Sequence, residues 1–239
     1  MDAMRAAGKV VGRFLREVAA EIRPGRTTEE LDRFAEEYIK KNGAEPAFKG
    51  YRGYPATICV SVNEEVVHGI PGKRVLREGD IVGIDVGAKV KGLYSDAART
   101  FPVGRVEPAK QRLLDVAREA LRLGISQAVS GNRVSDISHA VQCHVEGNGF
   151  QVVRQYVGHG IGTQLHEEPQ VPNFGEPHQG PVIRPGMALA IEPMVNAGTH
   201  EVTLDRDGWT VRTSDGMPSS HFEDTVLVTE KGTENLTDV

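Results

Sequence analysis

Apolar side chains at Met4, Ala7, Val10, Val11, Phe14, Val18 and Ile22 recur every three to four residues, the spacing of one buried helix face. The pattern predicts an opening helix ended by Pro24-Gly25. Thr27, with Glu30 three residues on, reads as a capping box for a second helix. Leu31, Phe34, Ala35, Tyr38 and Ile39 form its buried face, and Asn42-Gly43 stops it. The pattern then becomes strand-like at 57–62, 81–86 and 97–103, broken by Gly and Pro turns. Helical spacing returns over 110–129 and 134–145, followed by strand-like runs at 152–157, 188–191, 211–213 and 225–229. The stretch 166–181, rich in Pro, Gly and His, is expected to be a long loop. Two rounds of helix, helix and strands predict an α+β fold with the sheet at its centre.

The two rounds also resemble each other in sequence. VLREGDIVGIDVG (75–87) aligns with VIRPGMALAIEPMV (182–195), so that Val75 meets Val182, Gly79 meets Gly186 and Asp85 meets Glu192. Further back, 25–43 aligns with 131–149, pairing Leu31 with Ile137 and Asn42-Gly43 with Asn148-Gly149. The period is too long for a solenoid. It predicts two similar halves, about 1–105 and 106–239, folded around a shared centre as one domain.

A chain of 239 residues can bury a substantial core. Its net charge of −5 and lack of a basic patch argue against nucleic acid as a partner. Cys59 and Cys143 are the only cysteines, which fits a reducing cytoplasm rather than a disulfide framework. No apolar run is long enough to cross a membrane. With charged residues throughout, the first eighteen positions are not expected to be a signal peptide.

Asp85 and Glu192 each end an apolar run, where a lone charge is costly. Eleven residues separate Asp85 from Asp96, a step that could return the second acid beside the first across a hairpin. His159 lies between Gly158 and Gly160, with Gly162 beyond, glycines that would let backbone approach a ligand. His166 and Glu223 complete the set. Taken singly, each has an ordinary reading as a turn, surface or strand-end residue. Taken together, they form a carboxylate-rich group with imidazole, suited to Mn, Fe(II), Co or Zn. Four carboxylates balance the charge of two divalent ions, and the natural reaction for such a pair is hydrolysis of an amide or ester.

NEEVVHGIP, GDIVGIDVG, YSDAARTF, GHGIGTQLHEEP, LAIEPM and FEDTVLVT stand in the order and spacing of the type I methionine aminopeptidases. The chain resembles that family, in its compact bacterial form, over nearly its whole length. The resemblance implies the pita-bread fold, whose halves are related by a pseudo-twofold axis. It implies removal of the initiator methionine from nascent proteins, with a small second residue preferred and a metal-bridging hydroxide as attacking group. Asp85, Asp96, His159, Glu192 and Glu223 are similar to the five metal ligands, with Asp96 and Glu223 bridging two ions (Co, Mn, Fe or Zn). His68 resembles the histidine near the scissile nitrogen, and His166 the one that hydrogen-bonds the substrate carbonyl. Glu192 resembles the glutamate that takes a proton from the attacking water. Tyr51, Tyr54, Cys59, Leu165 and Trp209 match positions lining the methionine pocket. Implied partners are N-terminal methionyl peptides and nascent chains, with a transient ribosome contact. A monomer is expected.

The motifs depart from the family at Glu223-Asp224-Thr225, where members usually read Glu-His-Thr. Glu-Asp is more like the proline-specific relatives of the same fold, so an X-Pro peptidase is the alternative activity and a non-catalytic binding protein the alternative class. Asp224 is expected to add negative charge beside the ligands. His221 is also unusual there and is a candidate to replace the missing imidazole. His139, His144, His178, His200 and His221 otherwise read as surface or satisfied structural residues. The short stretch before MRAAG suggests a trimmed or late start at Met1.

Overall fold

The computed structural model describes residues 1–238. Helix α1 runs Asp2–Val18 and α2 runs Thr28–Lys41. Helix α1 stops four residues before Ile22. Ala20 and Glu21 donate back only three residues, to Glu17 and Val18, so the chain tightens into turns while Ile22 stays buried. The α2 capping box is formed, with Glu30 N–H on Thr27 Oγ1 and the Thr27 N–H on the Glu30 carboxylate. Helices α3 (Pro108–Gln127) and α4 (Val134–Gly147) repeat the arrangement, and Asp136 accepts from the Arg133 N–H as Glu30 does from Thr27.

Nine strands make the main sheet: β1 (Glu45–Pro46), β2 (Ile58–Val62), β3 (Ile81–Val90), β4 (Leu93–Pro102), β5 (Gly158–Gly160), β6 (Glu167–Val171), β7 (Ala188–Ile191), β8 (Glu223–Thr229) and β9 (Gly232–Asn235). Their spatial order is β1-β3-β4-β8-β7-β5-β6, with β2 also on β3 and β9 also on β8. Every pairing is antiparallel. The β3–β4 hairpin turns at Lys91-Gly92, both at positive φ, the geometry that matches strand twist.

Helices α1 and α2 bury their apolar faces on Val82, Ile84, Val86 and Ala97, and α3 and α4 on Leu189, Ile191, Val226 and Val228. All four helices therefore cover one sheet face and leave the alternate positions to the other. The expected duplication has a structural signature. An isolated bridge joins Thr27 to Val75, and its counterpart joins Arg133 to Val182.

Two further expectations change. The run at 152–157 is a strand only over Gln151–Val152, because the chain bends at 154–156 to bring β5 into the sheet. The expected loop at 166–181 begins with β6, which pairs with β5 at the sheet edge. Its Glu-Glu-Pro sequence hides the strand, and Pro169 is tolerated because an edge strand need not donate on both sides.

Candidate metal centre

The sheet register assembles the acids. Asp85 on β3 lies opposite Ala98 on β4, and Ala98 lies opposite Glu223 on β8. Asp224 pairs with Ile191, so Glu223 falls level with Glu192, one residue beyond β7. Asp96 is two positions from Ala98 and shares its face, diagonal to Asp85. His159 pairs with Ala190, two before Glu192, and joins the same face from β5. The expected hairpin return of Asp96 beside Asp85 is what the β3–β4 register produces.

These groups come close together. One ligand atom each from Asp96, His159 and Glu223 lies within 4.8 Å of the others. His159 Nε2 is 3.7 Å from Asp96 Oδ2 and 3.5 Å from Glu192 Oε1. The His159 Nδ1 contacts its neighbour's carbonyl, Gly160 O, at 2.9 Å, which holds the ring with Nε2 facing the acids. Thr225 donates to Asp96 Oδ1 at 3.0 Å and so fixes the carboxylate.

Burial dominates the electrostatics. It raises the carboxyls of Asp85, Glu192 and Glu223 well above their ordinary range, with Asp96 adding to each. Burial also raises Asp96 to about 6, against the pull of His166 and Thr225. Asp85 Oδ1 is sealed from solvent with no hydrogen-bond partner among the described residues. A set of buried acids that cannot all ionise, one with an orphaned oxygen, is chemically suited to a divalent cation.

A cavity of about 160 Å³ opens over the acids. His68, His166, Tyr51, Tyr54, Cys59, Leu165 and Trp209 all line it, together with the five expected ligands. Trp209 packs edge-on against Tyr54, with ring centroids 5.0 Å apart, as part of the pocket wall. Tyr54 Oη is fixed by the carbonyls of Ile58 and Gly69. Burial raises both its hydroxyl and the Cys59 thiol, so both stay neutral. His68 sits at φ 61°, a conformation uncommon outside glycine, and is lowered to about 4 by burial and then by His166. His166 keeps an exposed edge. It too is lowered to about 4, by burial and then by His159. Its Nδ1 lies 2.8 Å from Tyr51 Oη.

Some residues behave differently from expectation. Gly158 and Gly160 serve the sheet, not a ligand: a Cβ would lie 2.4 Å from Ala190 O or 2.3 Å from Glu168 O. Asp224 points to the helix-covered face, where Arg99 Nη2 meets it at 2.6 Å. Of the acids that raise Glu223, it contributes least, after Asp96, Glu192 and Asp85. His221 is buried at 5% exposure, and among the described residues its Nε2 has no partner, nor has the buried Nε2 of His144. Phe48 and Arg52 also line the cavity. Phe48 belongs to the same loop as Tyr51 and Tyr54, and that shared loop was the available signal for it.

An acid row with one imidazole, beside an apolar cavity, is the centre of a metal-dependent hydrolase. The model of metallopeptidase family M24 matches residues 2–230, and the chain belongs to that family. Membership implies a divalent metal cofactor. The chain is 53% identical over 236 residues to methionine aminopeptidase 1 of Bacillus subtilis, covering 99% of this chain and 95% of that one. It superposes on the methionine aminopeptidase of Thermotoga maritima with a TM-score of 0.98 at 51% identity, covering 100% of this chain and 96% of the other. Both chains have the pita-bread fold. The prolidase of Pyrococcus furiosus shares that fold at a TM-score of 0.81 and 24% identity, and the match spans 63% of its length.

Proposed function

We propose that the chain is a metal-dependent methionine aminopeptidase that removes the first residue from nascent proteins and methionyl peptides. The observation that carries this reading is the convergence of Asp85, Asp96, His159, Glu192 and Glu223 on one sheet face, beside a cavity walled by Tyr54, Cys59, Leu165 and Trp209. In this reading those five residues would hold two divalent ions (Mn, Fe, Co or Zn), Asp96 and Glu223 serving both. When bound, such ions acidify a water and polarise the scissile carbonyl.

The protein groups supply the rest. Glu192 accepts a proton from the attacking water. The neutral His166 donates a hydrogen bond to the substrate carbonyl, and His68 steadies the amide nitrogen side. Aromatic faces and the neutral Cys59 thiol receive the polarizable thioether, and a small second residue is preferred. Both halves, 1–105 and 106–239, contribute ligands, so they act as one catalytic domain and a monomer suffices. Nascent chains as substrate place the work in the cytoplasm, with at most a transient ribosome contact. No helix among the described residues is long and apolar enough to cross a membrane.

Titrating Mn(II) into the metal-free protein and into Asp96→Asn tests the ligand assignment. Two Mn(II) per wild-type chain, with loss of at least one in the variant, is expected. Equal uptake by both would overturn it.

A further inference from the structure

We propose that His221 is a positioning residue that holds the outer carboxylate oxygen of Glu192. This rests on the reading of Glu192 as a metal ligand and proton acceptor. Glu192 presents its two oxygens to different neighbours. Oε1 faces His159 Nε2 at 3.5 Å, and Oε2 faces His221 Nε2 at 3.8 Å.

The backbone that carries His221 is held in place. Its N–H donates to Thr100 Oγ1 and its carbonyl accepts from the same hydroxyl, each at 2.9 Å. Its strand pairs with Met194, two residues after Glu192. The ring is buried and Nε2 is sealed from water without a partner among the described residues. A buried donor of this kind is costly when left unpaired. A movement of about 1 Å brings Glu192 Oε2 within hydrogen-bond range.

An Nε2–H donated to Oε2 would leave Oε1 pointing to the His159 side. Partners that orient metal-bound carboxylates typically change metal affinity or activity by about 10–100-fold.

The test compares His221→Ala, His221→Gln and His221→Phe in the full chain. Mn(II) affinity would be read by calorimetry, and the ligand field by the visible absorption of the Co(II)-loaded protein. A loss of about tenfold or more in Mn(II) affinity for Ala and Phe, a shifted Co(II) spectrum, and restoration by Gln are expected. Circular dichroism identifies any variant that fails to fold, and comparison of Gln with Phe, both bulky, then decides. Wild-type affinity and spectrum in folded Ala or Phe variants would overturn the proposal, as would a folded Gln variant as impaired as Phe. Wild-type protein that takes up no Mn(II) would instead overturn the metal-centre reading itself.

Discussion

Arg99 and Asp224 face each other across β4 and β8 on the side of the sheet away from the acid row, with Nη2 2.6 Å from Oδ1. Arg99 Nη1 also donates to the Glu223 carbonyl. Asp224 accepts from Thr237 Oγ1 at 2.6 Å and from Asn235 Nδ2 at 2.9 Å. The acid that departs from the family motif thus ties β8 to β4 and to the C-terminal residues, directly behind Glu223.

Asp224→Ala is expected to destabilise the fold by about 1–3 kcal/mol, because it removes the acceptor of Arg99 Nη2, Thr237 and Asn235. Urea denaturation would measure this. A loss below about 1 kcal/mol would mean that Arg99 finds another partner or water.

Mn(II) uptake should release protons and tighten as pH rises from about 5 to 7. Asp96, raised to about 6, and Asp85, Glu192 and Glu223, raised further, retain protons that a bound cation displaces. The metal-free fold has two opposed dependences. A raised acid stabilises the fold fully below its ordinary value of 3.8, and loses that contribution as pH climbs through about 6 for Asp96. His68 and His166, lowered to about 4 from 6.5, add stability as pH rises over that interval. Calorimetry in two buffers of different ionisation enthalpy isolates the proton release, and buffer-independent heats at pH 6 would contradict it.

Tyr51→Phe should lower kcat about tenfold, roughly 1.4 kcal/mol, with a smaller change in KM. The Tyr51 hydroxyl lies 2.8 Å from His166 Nδ1, and donation there would leave Nε2 to carry the hydrogen offered to the substrate carbonyl. Steady-state kinetics on Met-Ala-Ser would check this. A kcat within twofold of wild type would leave Tyr51 as a wall of the pocket only.

Gly160→Ala is expected to cost about 1–3 kcal/mol by forcing β5 away from β6. Its Cβ would meet the Glu168 carbonyl, a backbone atom that cannot swing aside. Thermal denaturation reads the loss, and an unchanged midpoint would show that the edge strand yields.

Much of this was legible in the sequence because it depends on local period and register. The capping box at Thr27 and the runs at 188–191 and 211–213 appear as expected. The alignment of Asp85 with Glu192 became two acids in one row. Features set by neighbouring strands were hidden. Strand β6 looks polar because it is an edge, and the glycines beside His159 are explained only by carbonyls on β6 and β7. Asp224 and Glu223 are adjacent in sequence, but strand alternation places them on opposite faces. His221 stands out in the sequence only as a departure from the family motif, and its place beside Glu192 shows only in the fold.

The most direct test of the account is to strip the protein of metal, restore Mn(II), and assay Met-Ala-Ser beside Ala-Pro-Ala. The account predicts metal-dependent release of methionine from the first peptide and no cleavage of the second. Cleavage of Ala-Pro-Ala in preference, or no cleavage of Met-Ala-Ser with metal bound, would contradict it.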